Sequence, residues 1–254
     1  MIFDSHAHYD SHNFDDDRHE ILKNFLPKQN VVGIINCASD FESAEMTVKL
    51  CEQYDYIYGA VGVHPHETEK SGLFDEYRLK SLADNEKIVA IGEIGLDYHY
   101  DFSPKDIQKE WFEKQIILAN ELDLPVIVHD REAHKDTMDI LTKYKPKGVV
   151  HCFSGSVETA RETINLGMYI GLGGAVTFKN ARKPREVAAV VPEDKLLIET
   201  DCPYMTPVPY RGQRCDSSFI PYTAEVIAEV RGVTPEEILN ITRRNANTLF
   251  GLEL

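Results

Sequence analysis

At 254 residues, with 43% hydrophobic and 27% charged side chains, the chain has the composition of a soluble globular protein, which excludes a largely disordered or membrane-spanning one. Its longest apolar runs, such as Val31 to Cys37 interrupted only by Asn36, are strand-sized and too short to cross a bilayer. A formal net charge of -15 excludes a protein that coats nucleic acid non-specifically, although bound metal and a few arginines can still handle a polyanion locally.

The first element is a short strand at 2–5 that runs into Asp4-Ser5-His6-Ala7-His8. Strand alternation puts Asp4, His6 and His8 on one face, with the histidines about 7 Å apart along the backbone, so both imidazoles can lean toward one ion. Met1 leads straight into this strand without a basic n-region or cleavage signal, so a cytoplasmic location is expected. Asp15-Asp16-Asp17 reads as a helix start, where carboxylates favour the dipole, rather than a calcium site. Further strands are expected at 31–36, 57–63, 88–93, 125–129, 148–151, 168–171 and 196–199. Between them lie helical patterns, for example 104–121, where Ile107 and Trp111 stand four apart and Ile116 and Ala119 three apart. Ser103 is its expected cap and Pro104 its first helical residue. Thr234-Pro235-Glu236-Glu237 starts a last helix that runs to about Phe250.

Alternating strands and helices imply a parallel sheet. Roughly eight such units predict a (β/α)8 TIM barrel, and the lack of any linker predicts one domain over 1–254. Cys37, Cys51, Cys152, Cys202 and Cys215 show no CxxC spacing and read as reduced thiols. No heptad or apolar helix face marks an oligomer interface, so the sequence leaves the oligomeric state open and is compatible with a monomer.

Functional groups of such a barrel sit at the C-terminal ends of its strands. Here those ends carry His6 and His8, His64-Pro65-His66, Glu93, His129-Asp130-Arg131, His151, and Glu199-Thr200-Asp201. Each histidine alone is an ordinary surface or core residue more often than a ligand. Glu93 differs, because a buried carboxylate in an apolar, glycine-flanked run is costly unless paired or metal-bound. Four histidines with two carboxylates exceed the needs of one tetrahedral ion with an open position. They suit two divalent ions (Zn, Mn or Mg) that share a bridging carboxylate and water and clamp a displacement at phosphorus or carbon. Asp201 is the candidate base for the water's proton, and His64 the candidate for orienting substrate or water. Cys152 and Cys202 neighbour better ligands and should face away. His12, His19, His99 and His134 are expected at the surface, while His66 stays open between site and surface. Asp4 is a candidate partner for the imidazoles.

Assembled, these residues resemble the TatD family of metal-dependent hydrolases over essentially the whole chain. The motifs are Asp4-Ser5-His6-Ala7-His8, Gly62-Val63-His64-Pro65, Gly92-Glu93-Ile94-Gly95-Leu96-Asp97-Tyr98, Val128-His129-Asp130-Arg131, His151-Cys152-Phe153-Ser154-Gly155 and Glu199-Thr200-Asp201-Cys202-Pro203-Tyr204. The resemblance implies an amidohydrolase-like barrel and a divalent-metal-dependent hydrolase, usually a deoxyribonuclease. It also implies that His6, His8 and Asp201 hold one ion and His129 and His151 the other, with Glu93 bridging. Family members often carry Asn-x-Pro after the stretch matching Arg211-Gly212-Gln213-Arg214. This chain has Cys215-Asp216-Ser217-Ser218, a segment expected to shape the pocket rim.

The expected function is exonucleolytic hydrolysis of DNA phosphodiesters by a water that two metal ions activate. Arg131, Arg211 and Arg214 are candidate phosphate contacts. A second reading keeps the site and changes the bond, to an ester, lactone or amide in a small molecule or in D-aminoacyl-tRNA. A third has the barrel bind metal or a partner without turnover.

Overall fold

A computed structural model describes residues 1–254, with eight parallel strands hydrogen-bonded in sequence order. They are β1 (Ile2–Ala7), β2 (Val31–Cys37), β3 (Ile57–Val61), β4 (Ile88–Asp97), β5 (Val126–Arg131), β6 (Gly148–Val150), β7 (Tyr169–Leu172) and β8 (Leu196–Ile198). The helices α1 (Arg18–Glu20), α2 (Phe41–Gln53), α3 (Glu76–Ala83), α4 (Lys105–Glu121), α5 (His134–Tyr144), α6 (Val157–Asn165), α7 (Arg182–Val190) and α8 (Ile220–Arg231) each follow one strand. A final helix, α9 (Pro235–Phe250), ends the chain's regular structure. The sheet closes where the Asp201 N–H donates to His6 O at 3.0 Å and the His8 N–H to Cys202 O at 2.8 Å. This is the (β/α)8 barrel that the alternation predicts.

The inside of the barrel is apolar at its lower end. A buried cluster takes Phe3, Ile35, Ala60, Ala90, Ile127, Val149, Tyr169 and Leu197 from the eight strands, and Ala246 and Phe250 of α9 pack against it. Two residues further along the same strand face come His129, His151 and Glu199, so an apolar floor lies beneath the polar groups. Truncating a floor residue such as Leu197 to Ala would cost on the order of 2–5 kcal/mol, because the cavity could not collapse in a closed barrel. A second buried cluster, of 47 residues, fills the space between strands and helices.

Several local expectations change. β4 runs on to Asp97, pairing Gly95 with His129 and Asp97 with Arg131. Gly95 permits this: its φ is 142°, and a Cβ there would sit 2.0 Å from His129 O. α4 starts at Lys105 with Pro104 at the N-cap and no side-chain cap. Ser103 is drawn elsewhere, accepting from the Glu69 N–H at 3.1 Å and donating to His66 O at 3.0 Å. The acidic triplet does precede a helical stretch, α1 running on through π and 3-10 turns to Gln29, but Asp17 at its N-cap position makes no capping bond. The capping box before α9 forms as expected, with Glu237 N–H donating to Thr234 Oγ1 and Thr234 N–H to Glu237 Oε2. All five cysteines are free thiols. No helix is long and apolar enough to cross a membrane.

Candidate metal centre

The strand ends bring the predicted donors together around Glu93. Its Oε2 lies 3.3 Å from His6 Nε2 and 3.5 Å from His8 Nε2. Its Oε1 lies 2.8 Å from His129 Nδ1, 2.8 Å from His151 Nε2 and 3.5 Å from His64 Nε2. Asp201 joins the first group, its Oδ1 being 3.3 Å from His8 Nε2 and 3.7 Å from His6 Nε2. One carboxylate thus faces two sets of nitrogens, one with each oxygen. The strand register is irregular between Asp4 and Ala7 in β1 and between Ile91 and Ile94 in β4, flanking His6 and Glu93. Such irregularities bend a strand and re-aim its side chains. Asp201 and Cys152 have φ of 59° and 42°, the left-handed region that few residues other than glycine adopt.

The hydrogen bonds settle which nitrogens carry protons. His8 Nδ1–H donates to Cys37 O at 2.8 Å, so Nε2 is the nitrogen that faces Glu93 and Asp201 and that an ion could take once its proton leaves. His129 Nε2–H donates to Asp97 Oδ2 at 3.0 Å, so Nδ1 is the nitrogen that faces Glu93 and that an ion could take once its proton leaves. His6 Nε2 and His8 Nε2 are only 3.0 Å apart, and His129 Nδ1 and His151 Nε2 only 3.3 Å. Lone pairs crowded against one another and against carboxylate oxygens repel unless a cation or extra protons lie between them. The donor set therefore fits divalent metal. The thiols of Cys152 and Cys202 are not among the converging donor atoms.

Without metal the same charges must be balanced by protons. Burial opposes charge on Glu93, but the His151, His64 and His6 imidazoles hold its carboxyl well below the usual range. Burial likewise would push His8 down, yet Asp201 and Glu93 raise it to about 9. His151 is raised well above the ordinary imidazole value, against burial, by Glu93 and Glu199. His64 goes the other way, driven well below by burial, and stays neutral.

Two further carboxylates, beyond those that the strand-end pattern marks as ligands, stand in supporting positions. Asp97 is fully buried and lies 3.0 Å from His129 Nε2 and 2.8 Å from His66 Nε2. Burial would raise its carboxyl, but His129 and His66 hold it far below the carboxylate range. Alternation along β4 from Glu93 through Gly95 to Asp97 was the available signal. Glu199, also buried, accepts from the Cys152 N–H and lies 3.5 Å from His151 Nδ1. Its signal was the one used for Glu93, an acid at the end of an apolar run.

Asp4 touches no imidazole ring. Its Oδ1 takes the His6 and Thr200 N–H groups at 3.3 Å and 3.0 Å, and its Oδ2 takes the Thr200 and Ser217 hydroxyls at 2.6 Å and 2.7 Å. The irregularity after Asp4 and these four donors turn it below the site rather than into it. Ser217 N–H also donates to Tyr9 OH at 2.8 Å. The divergent 215–218 segment is therefore not a rim: Cys215 and Ser217 are buried beneath the site.

The centre opens into a cleft of about 540 Å³ lined by His8, His64, Glu93, His129, Asp201 and Arg131, with His12 and His66 also on its wall. Arg211 and Arg214 do not line it. Arg211 lies 3.9 Å over the Phe178 ring, and Arg214 clasps Asp17 at 2.5 Å and 2.9 Å while lying over Phe14. His19, His99 and His134 bond to Tyr54, Glu132 and Asp130 outside the cleft.

An eight-stranded parallel barrel with imidazoles and carboxylates gathered at its C-terminal rim has the arrangement of a metal-dependent hydrolase. A family profile described as TatD related DNase matches residues 3–251. The chain belongs to the TatD family. Over 253 residues it is 46% identical to an uncharacterized metal-dependent hydrolase, YabD, of Bacillus subtilis (strain 168), covering 98% of this chain and 99% of that one. It is 32% identical over 258 residues to the 3'-5' ssDNA/RNA exonuclease TatD of Salmonella typhimurium, covering 98% of each. The crystal structure of YjjV, a TatD homolog from Escherichia coli K12, aligns with a TM-score of 0.92 at 33% identity, covering 99% of this chain and 98% of that one.

Proposed function

We propose that the protein is a phosphodiesterase that shortens single-stranded DNA from an end, using two divalent ions. The observation that carries this reading is the division of donors between the two oxygens of Glu93. His6, His8 and Asp201 would hold one ion, His129 and His151 the other, with Glu93 giving an oxygen to each. Such ions supply Lewis acidity toward a phosphoryl oxygen and acidify water.

The chain's own residues do the rest. Asp201, whose side chain is 18% exposed against 5% for Glu93, is the accessible carboxylate and takes a proton from the attacking water. The new P–O bond forms as the bond to the leaving nucleotide breaks. His64, neutral and on the cleft wall, orients the substrate or the water. Arg131 on the same wall pairs with a neighbouring phosphate. The relative from Salmonella typhimurium, named for its action on ssDNA and RNA, supports this substrate class. A second support is charge: Lys179, Arg182, Lys183 and Arg185 are all exposed, in the segment that follows β7, on a chain of net charge -15. Loops after strands form the same rim as the site.

The test is cleavage of single-stranded DNA with added Zn, Mn or Mg, before and after chelation, alongside a panel of esters and amides. Metal-dependent release of nucleotides is expected. Chelator-resistant activity, or a larger specificity constant on an ester or amide, would overturn the proposal and favour the second reading.

A further inference from the structure

Beside the metal centre the surface carries a stacked aromatic pair. Tyr100 and Phe102, in the loop after β4, lie with ring centroids 5.2 Å apart and planes 18° from parallel. They are 42% and 54% exposed. His66 packs edge-on against both, at 5.5 Å and 4.9 Å, and the Arg131 guanidinium carbon lies 4.8 Å from the Tyr100 centroid. Tyr100, His66 and Arg131 line the cleft that also holds Glu93 and Asp201. Tyr204, 55% exposed, lines it from the β8 side.

Single exposed apolar side chains are ordinary, but a stacked pair fixed at the mouth of a reaction cleft leaves flat apolar surface where a ligand passes. A flat π-system with a neighbouring anion is the ligand such a pair suits. Every nucleobase has a π-face, so stacking seats a base without regard to sequence, and an adjacent arginine can take the attached phosphate.

We propose that Tyr100 and Phe102, with Arg131, form a stacking subsite for an unpaired nucleobase next to the phosphodiester being cut. This rests on the phosphodiesterase reading. A paired base is already stacked in its duplex, so the subsite makes the enzyme select single strands or frayed ends.

The test compares metal-loaded protein on a short single-stranded oligodeoxynucleotide and on the same strand ending in base-free tetrahydrofuran residues. The unmodified protein is expected to favour the normal strand in kcat/KM by roughly tenfold to a hundredfold. Tyr100→Ala/Phe102→Ala is expected to reduce that ratio to near one, and Phe102→Trp to retain it. Terminal 2-aminopurine on a slowly cut phosphorothioate strand should lose fluorescence on binding the unmodified protein and keep it with the double variant. If the double variant does not fold, Phe102→Ala, changing a side chain more than half exposed, carries the comparison. Equal rates on both strands in the unmodified protein, or an unaltered ratio in the variants, would overturn the subsite and leave the phosphodiesterase reading standing. Cleavage of neither strand with any divalent ion would overturn both.

Discussion

His129 and Asp97 fix one another, with the imidazole Nε2–H donating to the carboxylate Oδ2 over 3.0 Å while Nδ1 faces Glu93 Oε1 at 2.8 Å. Asp97 Oδ1 is meanwhile committed to the His99 and Tyr100 N–H groups at 2.9 Å and 3.1 Å. In Asp97→Asn the amide oxygen must stay with those two donors, so its NH2 faces His129 and forces the other tautomer. Metal affinity is expected to fall by about 10- to 100-fold, with little change in melting temperature. Competitive metal titration of an unaltered affinity would show that Asp97 does not set the tautomer.

Glu93 and His6 should differ in how much metal they cost. Replacing Glu93 by Ala removes an oxygen from each donor group, so elemental analysis should find both ions lost. His6→Ala should lose mainly one. A full complement in Glu93→Ala would rule out the shared carboxylate.

pH acts on the metal-free protein through His8, which burial lowers but Asp201 and Glu93 lift to about 9. The folded value exceeds the unfolded one of about 6.5. Protonated His8 therefore stabilises the metal-free fold fully below about pH 6.5, and that stability is lost as pH rises through about 9. A metal ion must displace this proton, so affinity should climb over the same window and binding should release protons. Urea midpoints of chelated protein, and calorimetry in buffers of different ionisation heat, measure both. A flat profile from pH 6 to 9 would count against the assignment.

Ser217 donates both its N–H to Tyr9 and its hydroxyl to Asp4. Ser217→Ala strips a donor from a buried carboxylate and should cost about 1–3 kcal/mol in urea unfolding. Ser217→Pro, losing both bonds, should cost more. Wild-type stability in either variant would mean that Asp4 is satisfied without the segment.

The arginines separate by position. Arg131→Ala should raise KM for single-stranded DNA about tenfold, as expected for a lost charge-assisted contact. Arg214→Ala should leave KM alone and cost at most about 1 kcal/mol, since it breaks a surface pair with Asp17. Neutralising Lys179, Arg182 and Lys183 should flatten the dependence of DNA binding on salt. An unaltered salt slope would remove that segment from the path of the strand.

The strand–helix rhythm and the donors at the strand ends were legible because each obeys a local rule. Ile127 and His129, or Val149 and His151, sit two apart, so floor and site share a face and can be read from spacing. Asp4 was misassigned because the irregularity in β1 is invisible to an alternation argument and its partners Thr200 and Ser217 lie far along the chain. Asp97 escaped notice because β4 continues through a run with two glycines, which reads as a loop. Arg214 and the 215–218 segment resisted for the same reason: whether a loop side chain faces a cleft or the body beneath it depends on contacts such as Asp17 and Tyr9 that no local pattern encodes.

The seam of the barrel has a consequence for how activity arises during synthesis. Asp4 meets Thr200 and Ser5 meets Ile198 across 196 and 193 residues of sequence, at the place where β1 and β8 are joined. His6 and His8 belong to the first strand of the barrel, and a ribosome delivers Asp201 only after seven further strands. Contacts this distant form late and slowly. A nascent or truncated chain carries histidines that can catch metal but lacks the proposed base to use it. With Asp201 as the base, hydrolysis waits until the two ends of the barrel find each other.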